Sequence, residues 1–135
     1  MLVLESSIMA QDLRLMTYNI RYATENDGDN QWDNRKEFLS EQLQFFAPDV
    51  FGIQEGLQHQ VNYLDGQLDN YSFVGVGRDD GASKGEYCAI YYNTDKFQVL
   101  DHGTFWLSET PDVVSKGWDA ALSALEMAGL FRQME

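Results

Sequence analysis

Short apolar runs alternate with stretches of helical period along the first half of the chain. Leu13 to Ile20 carries apolar residues on both faces, with Thr17 and Tyr18 adding strand propensity, which predicts a buried strand. The polar segment from Glu25 to Asn30, with Asp27, Gly28 and Asp29, reads as a loop. From Asp33 to Phe46 the period becomes helical, with Phe38, Leu39, Leu43 and Phe46 on one face and Pro48 as the stop. A second strand follows at Val50 to Gln54. After Gly56, the spacing of Leu57, Val61, Leu64 and Leu68 predicts a second amphipathic helix.

Beyond that helix the period falls to that of strands. Tyr71 to Val76, Tyr87 to Asn93 and Val99 to Ser108 read as strands, joined by a loop rich in Gly, Asp and Ser and by the turn Asn93-Thr94-Asp95. From Ala120 the chain turns rich in Ala, Leu and Met, which predicts a short terminal helix. The order β-α-β-α followed by strands implies a layered α/β domain whose first strands connect through helices and whose later strands pair as hairpins.

Composition narrows the class. At 135 residues the chain has room for one domain with a core of its own, and its 44% hydrophobic content argues against disorder. Nine basic against 22 acidic residues leave a formal charge of −13, which disfavours loose electrostatic binding to nucleic acid or an anionic membrane. A phosphate ligand would need local positive charge, and a divalent cation seated among carboxylates supplies it. The one cysteine, Cys88, has no partner for a disulfide and reads as a small core residue. No run approaches the roughly 18 apolar residues of a spanning helix. The first eleven residues lack a basic region and are interrupted by Glu5, so they fail as an intact signal peptide. As it stands the chain reads as cytoplasmic, with export of full-length relatives left open.

Two strand ends carry the candidate chemistry. Asn19 closes the first apolar run and Glu55 closes the run Val50-Phe51-Gly52-Ile53-Gln54-Glu55. Strands joined through a helix deliver their far ends to the same edge, where an amide and a carboxylate oxygen suit a hard divalent cation. On spacing alone, a turn-forming Asn and a surface Glu are the simpler readings, and the surrounding words change that balance.

Thr17-Tyr18-Asn19-Ile20, followed after one helix by Pro48-Asp49-Val50-Phe51-Gly52-Ile53-Gln54-Glu55-Gly56, resembles the opening of the endonuclease/exonuclease/phosphatase superfamily, the deoxyribonuclease-like phosphoesterases. The resemblance continues through Gly75-Val76-Gly77-Arg78-Asp79-Asp80-Gly81, Lys84-Gly85-Glu86-Tyr87-Cys88-Ala89-Ile90-Tyr91-Tyr92 and Gly103-Thr104-Phe105-Trp106-Leu107-Ser108. It implies the first half of a four-layer α/β/β/α sandwich. It also implies that Glu55 binds the catalytic Mg²⁺ (or Mn²⁺), and that Asn19 contacts the metal site or the scissile phosphate. By the same resemblance, Glu86 orients a catalytic histidine. Arg78 and Lys84, ordinary loop charges on spacing alone, are the candidates for contact with the substrate phosphate. The substrate is a phosphate ester, with nucleic acid and a lipid head group among the classes that relatives hydrolyse.

The family's later motifs, an Asn-Thr-His strand end, a Gly-Asp-x-Asn turn and a closing Ser-Asp-His, do not occur in their places. His59 and His102 lie outside the family's catalytic positions. The expectation is therefore residues 1–12 as an unstructured or remnant leader, 13–122 as a partial domain and 123–135 as an atypical tail ending in a frameshift or premature stop. Such a chain would be a weak or inactive hydrolase alone, with an exposed sheet face prone to self-association. The alternative is a non-catalytic domain that folds or binds a divalent cation without turnover. Asp27, Asp29 and Asp33 have a loosely calcium-like spacing but do not fit an EF-hand, and Gly75-Val76-Gly77 is a weak dinucleotide fingerprint.

Overall fold

A computed structural model describes residues 12–107, 109, 110, 113 and 114 and the backbone of 121–129; the expected leader up to residue 11 and the tail from residue 130 lie outside the described residues. In chain order the elements are β1 (Leu15–Asn19), a 3-10 turn (Glu25–Asn30), α1 (Trp32–Phe46), β2 (Val50–Gln54), α2 (Gln58–Asp65), β3 (Tyr71–Val74), β4 (Ile90–Asn93), β5 (Phe97–Trp106) and β6 (Ala121–Gly129). β1 and β2 are parallel, with Leu15 opposite Val50 and Asn19 opposite Gln54. Parallel neighbours require a crossover, and α1 supplies it. β4 pairs antiparallel with both β2 and β3, giving the order β1-β2-β4-β3, while β5 and β6 form a separate antiparallel pair.

The helices cover one face of the four-stranded sheet. Phe51 and Ile53 of β2 and Tyr91 of β4 are buried there with Leu39 and Leu43 from α1 and Val61 and Leu64 from α2. The Phe51 and Tyr91 rings stack at 4.7 Å, and the Tyr91 hydroxyl donates to the Val61 carbonyl at 3.2 Å, tying sheet to helix. α1 ends at Ala47, left-handed at φ 42°, whose N–H donates to the Leu43 carbonyl, and Pro48 follows as expected. The result is the layered α/β arrangement that the element order implied.

Four expectations need correction. Among the described residues β1 is an edge strand with one neighbour, not a buried one: Leu15 is 68% exposed, and along the strand exposed positions alternate with half-buried ones on the helix side. On α1 the inward stripe is Trp32, Leu39, Ser40 and Leu43, while Phe38 and Phe46 point to solvent. β4 begins at Ile90, since Tyr87 instead makes isolated bridges to Gly56 and Gly77. The segment from Ala121 to Gly129 is a strand, not a helix: it pairs along β5 from Trp106 opposite Ala121 to Phe97 opposite Gly129. Helix propensity is a weak prior that a long-range partner overrides.

The glycine-rich loop between β3 and β4 closes on itself rather than opening a helix, which removes the dinucleotide reading. One carboxylate oxygen of Asp80 accepts the N–H groups of Ala82, Ser83 and Lys84, each at 2.9 Å. A side chain at Gly77 would meet the Lys84 carbonyl at 2.3 Å, so the loop needs glycine there. Among the described residues, no helix is long and apolar enough to cross a membrane.

Candidate metal centre

Parallel pairing of β1 and β2 brings Asn19 and Glu55 to the same edge. Asn19 Nδ2 donates to Glu55 Oε1 at 2.7 Å, and the Tyr22 N–H donates to Glu55 Oε2 at 3.0 Å. Asn19 Oδ1 in turn accepts the Arg21 N–H at 2.9 Å. Glu55 and Arg21 are both left-handed, at φ 62° and φ 61°. Such a conformation costs a non-glycine residue about 1–2 kcal/mol, and surrounding contacts must hold it. Beneath them, Gln54 Nε2 donates to Thr17 Oγ1 at 3.1 Å across the same strand pair.

Among the described residues every donor to Glu55 is neutral. The Asn19 amide and then the Tyr22 N–H hold its carboxyl below the usual glutamate range, against a smaller opposing effect of burial and with help from the charges of Arg21 and Arg35. An ionised carboxylate offers about four lone-pair positions. Two are used, one on each oxygen, so both oxygens keep a position for a cation. The nearby Arg21 does not fill it, because its guanidinium pairs with Asp27. A single anchored carboxylate suits Mg²⁺, which keeps several waters and takes few protein ligands. Among the described residues, no group of three or more His, Cys, Asp or Glu side chains is arranged around a common point.

The other candidates sit apart from this pair. Glu86 accepts from Arg78 Nη1 at 3.2 Å, and Arg78 Nε lies 3.7 Å from Asp79. The Arg78 carbonyl accepts from Trp106 Nε1 at 2.9 Å, which ties the loop to β5. Glu86 nevertheless enters the neighbourhood of Glu55, because the Tyr87 N–H donates to the Gly56 carbonyl at 2.7 Å. Lys84 is exposed, and its backbone N–H is bound to Asp80. His59 and His102 are exposed. Of the acidic loop, Asp27 pairs with Arg21 and Asp33 pairs with Lys36 at 2.6 Å. Cys88 is partly buried, and burial pushes its thiol up.

Three contributors escaped the sequence. The Tyr22 donor is a backbone group, so no side-chain pattern announces it. Arg35 and Gln60, which hold the Arg21 carbonyl at 2.7 and 3.0 Å, act from α1 and α2. Their contacts span 14 and 39 positions, beyond any local period.

The fold has counterparts among solved structures. The endonuclease/exonuclease/phosphatase from Bacteroides vulgatus matches with a TM-score of 0.85 and 39% identity, covering 89% of this chain and 48% of that one. The Bacteroides thetaiotaomicron mannosyl-6-phosphatase is 46% identical with a TM-score of 0.75, covering 83% of this chain and 43% of that one. In sequence, the CCR4-Not complex 3'-5'-exoribonuclease subunit Ccr4 of Mycosarcoma maydis is 27% identical over 110 residues, 67% of this chain and 16% of that protein. No protein-family model matches the chain. The chain spans less than half the length of these solved counterparts. By its strand order and these counterparts, it belongs to the endonuclease/exonuclease/phosphatase family, matching about half of that fold.

Proposed function

We propose that Glu55 is the carboxylate that holds Mg²⁺ (or Mn²⁺) for hydrolysis of a phosphate ester, and that this chain supplies only part of the site. The observation that carries the reading is the donor set: both Glu55 oxygens are anchored by uncharged groups, and each keeps a lone-pair position. A structural surface glutamate would more simply pair with a nearby arginine, yet Arg21 is turned to Asp27. When bound, the cation supplies charge stabilisation at the phosphoryl oxygens and an acidic bound water.

Within that site Asn19 fixes the Glu55 carboxylate through its amide N–H, and its own carbonyl oxygen is steadied by the Arg21 N–H. Glu86, in the segment before β4, takes the role of orienting a histidine, with Arg78 balancing its charge. Arg78 and Lys84 lie on the loop that leads to it and are the groups to approach a substrate phosphate. A small phosphate ester, such as a sugar phosphate, is the favoured substrate over nucleic acid. The net charge of −13 supports that choice, as does the 46% identity to a protein named a mannosyl-6-phosphatase.

Among the described residues the hydrogen bonds of Asn19 and Glu55 involve no histidine, and both histidines are exposed. The chain is therefore expected to bind the cation through Glu55 while turning over little or nothing by itself. An assay of the chain with Mg²⁺ on mannose 6-phosphate and on a single-stranded DNA oligonucleotide, alongside Glu55→Gln, decides this. Substantial hydrolysis abolished by Glu55→Gln would contradict the partial site, and Mn²⁺ binding unaffected by Glu55→Gln would remove the metal reading.

A further inference from the structure

The left-handed turn at Arg21 is held from two elements at once. Arg35 on α1 donates through Nη2 to the Arg21 carbonyl at 2.7 Å, through Nη1 to the Ile20 carbonyl and through Nε to the Asn30 carbonyl at 2.8 Å. Gln60 on α2 donates through Nε2 to the same Arg21 carbonyl at 3.0 Å and accepts the Leu57 N–H at 3.0 Å. Gln60 is wholly buried, and Arg35 rests over the Trp32 ring at 5.1 Å from its centroid. Among the described residues neither side chain hydrogen-bonds to Glu55, and Arg35 forms no ion pair with a carboxylate, acting on Glu55 only through its charge at a distance.

Convergence of two donors on one carbonyl fixes the peptide plane between Arg21 and Tyr22. That plane also carries the Tyr22 N–H, which is the donor on Glu55 Oε2. Rotation of the plane toward an ordinary right-handed or extended turn would withdraw this N–H from the carboxylate. The same turn presents the Arg21 N–H to Asn19 Oδ1. Both supports of Glu55, one direct and one through Asn19, thus pass through a residue whose backbone is disfavoured for any side chain but glycine.

We propose that Arg35 and Gln60 are positioning residues that clamp the Arg21–Tyr22 peptide plane and thereby aim the Tyr22 N–H at Glu55. The proposal rests on the reading of Glu55 as the metal carboxylate, but its first consequence can be measured without metal. Arg35→Lys keeps the charge and loses the planar fork, whereas Gln60→Met keeps the volume and loses both hydrogen bonds. Val61→Ala, in the adjacent core, serves as a variant of lowered stability with the clamp intact.

The test is amide hydrogen exchange of Tyr22 in the metal-free chain, followed by Mn²⁺ titration of the same variants. In Arg35→Lys and Gln60→Met, Tyr22 exchange should quicken about tenfold more than that of the β2 amides. Mn²⁺ affinity should fall about tenfold, the usual scale for losing an outer support of a ligand. In Val61→Ala, Tyr22 should change only in step with global stability, and Mn²⁺ affinity should stay at the wild-type value. Tyr22 exchange tracking global stability in both clamp variants would overturn the positioning role, even if Mn²⁺ binding persists. Mn²⁺ binding indifferent to Glu55→Gln would instead defeat the metal reading, leaving the Tyr22 result to decide the clamp. If Arg35→Lys fails to fold, Gln60→Met carries the test.

Discussion

Strand β2 has a carboxylate just beyond each end, and the two are held in opposite ways. Asp49, before the strand, accepts the Arg14 N–H at 2.7 Å and the Lys96 ammonium on its other oxygen. Glu55, after the strand, accepts the Tyr22 N–H at 3.0 Å and the Asn19 amide at 2.7 Å. Each thus receives one backbone donor from beside β1 and one side-chain donor. The difference is charge: a cation completes Asp49, whereas only neutral dipoles hold Glu55. The Asp49 side chain is 3% exposed and lies between β1 and the turn after β4, so its partners answer a structural need. Glu55 stands at the strand edge, and among the described residues no cationic side chain pairs with it directly. The one arrangement closes a fold, and the other leaves room for a cation.

The largest expected effect lies at the Asp49 end. Asp49→Ala leaves the Arg14 N–H and the Lys96 ammonium without their acceptor, and should cost about 2 kcal/mol of stability, read by urea unfolding. Half of the Lys96 side chain remains in solvent, which keeps the figure below that of a fully buried pair. Mn²⁺ affinity should not change, since nothing at the Glu55 end depends on Asp49.

Asn19→Ala should do the reverse. It removes the neutral donor from Glu55 Oε1 and should weaken Mn²⁺ binding about tenfold, read by calorimetry. Its effect on stability should be well under that of Asp49→Ala, because Asn19 is exposed. Equal losses of stability in the two variants would erase the distinction between the ends.

Acid titration sharpens the contrast more gently. Burial works to raise the Asp49 carboxyl, but the Arg14 N–H and Lys96 outweigh it and hold it below the ordinary aspartate value. A carboxyl lowered by folding adds stability that is complete above its unfolded pKa of about 3.9 and fades as the pH falls below that toward the folded value. Stability should therefore fall as the pH drops below about 4, and Asp49→Asn should flatten that part of the curve. The smallest effect is expected at Arg78, whose pairing with Glu86 is partly solvated; Arg78→Ala should change stability by less than about 1 kcal/mol.

These two ends were not equally legible in the sequence. Asn19 and Glu55 stand at the close of apolar runs, so strand periodicity placed them on one edge, and the resemblance of the surrounding words gave them a role. Asp49 lies within the same words, yet its partner Lys96 is 47 positions away and follows no period. The clamp formed by Arg35 and Gln60 was hidden for the same reason. β6 shows the limit from another side: its Ala, Leu and Met favour a helix locally, and only pairing with β5 decides for a strand. Phe38 and Phe46 were placed inward by period alone, though the sheet that α1 meets covers only the Leu39 and Leu43 side.

Calorimetric titration of Mn²⁺ into the chain, its Glu55→Gln variant and its Asp49→Asn variant separates the two ends of β2 in one experiment. Wild type and Asp49→Asn should bind Mn²⁺ with the same affinity, although Asp49→Asn is less stable, while Glu55→Gln should bind at least about tenfold more weakly. Equal binding by wild type and Glu55→Gln would mean that Glu55 holds no cation.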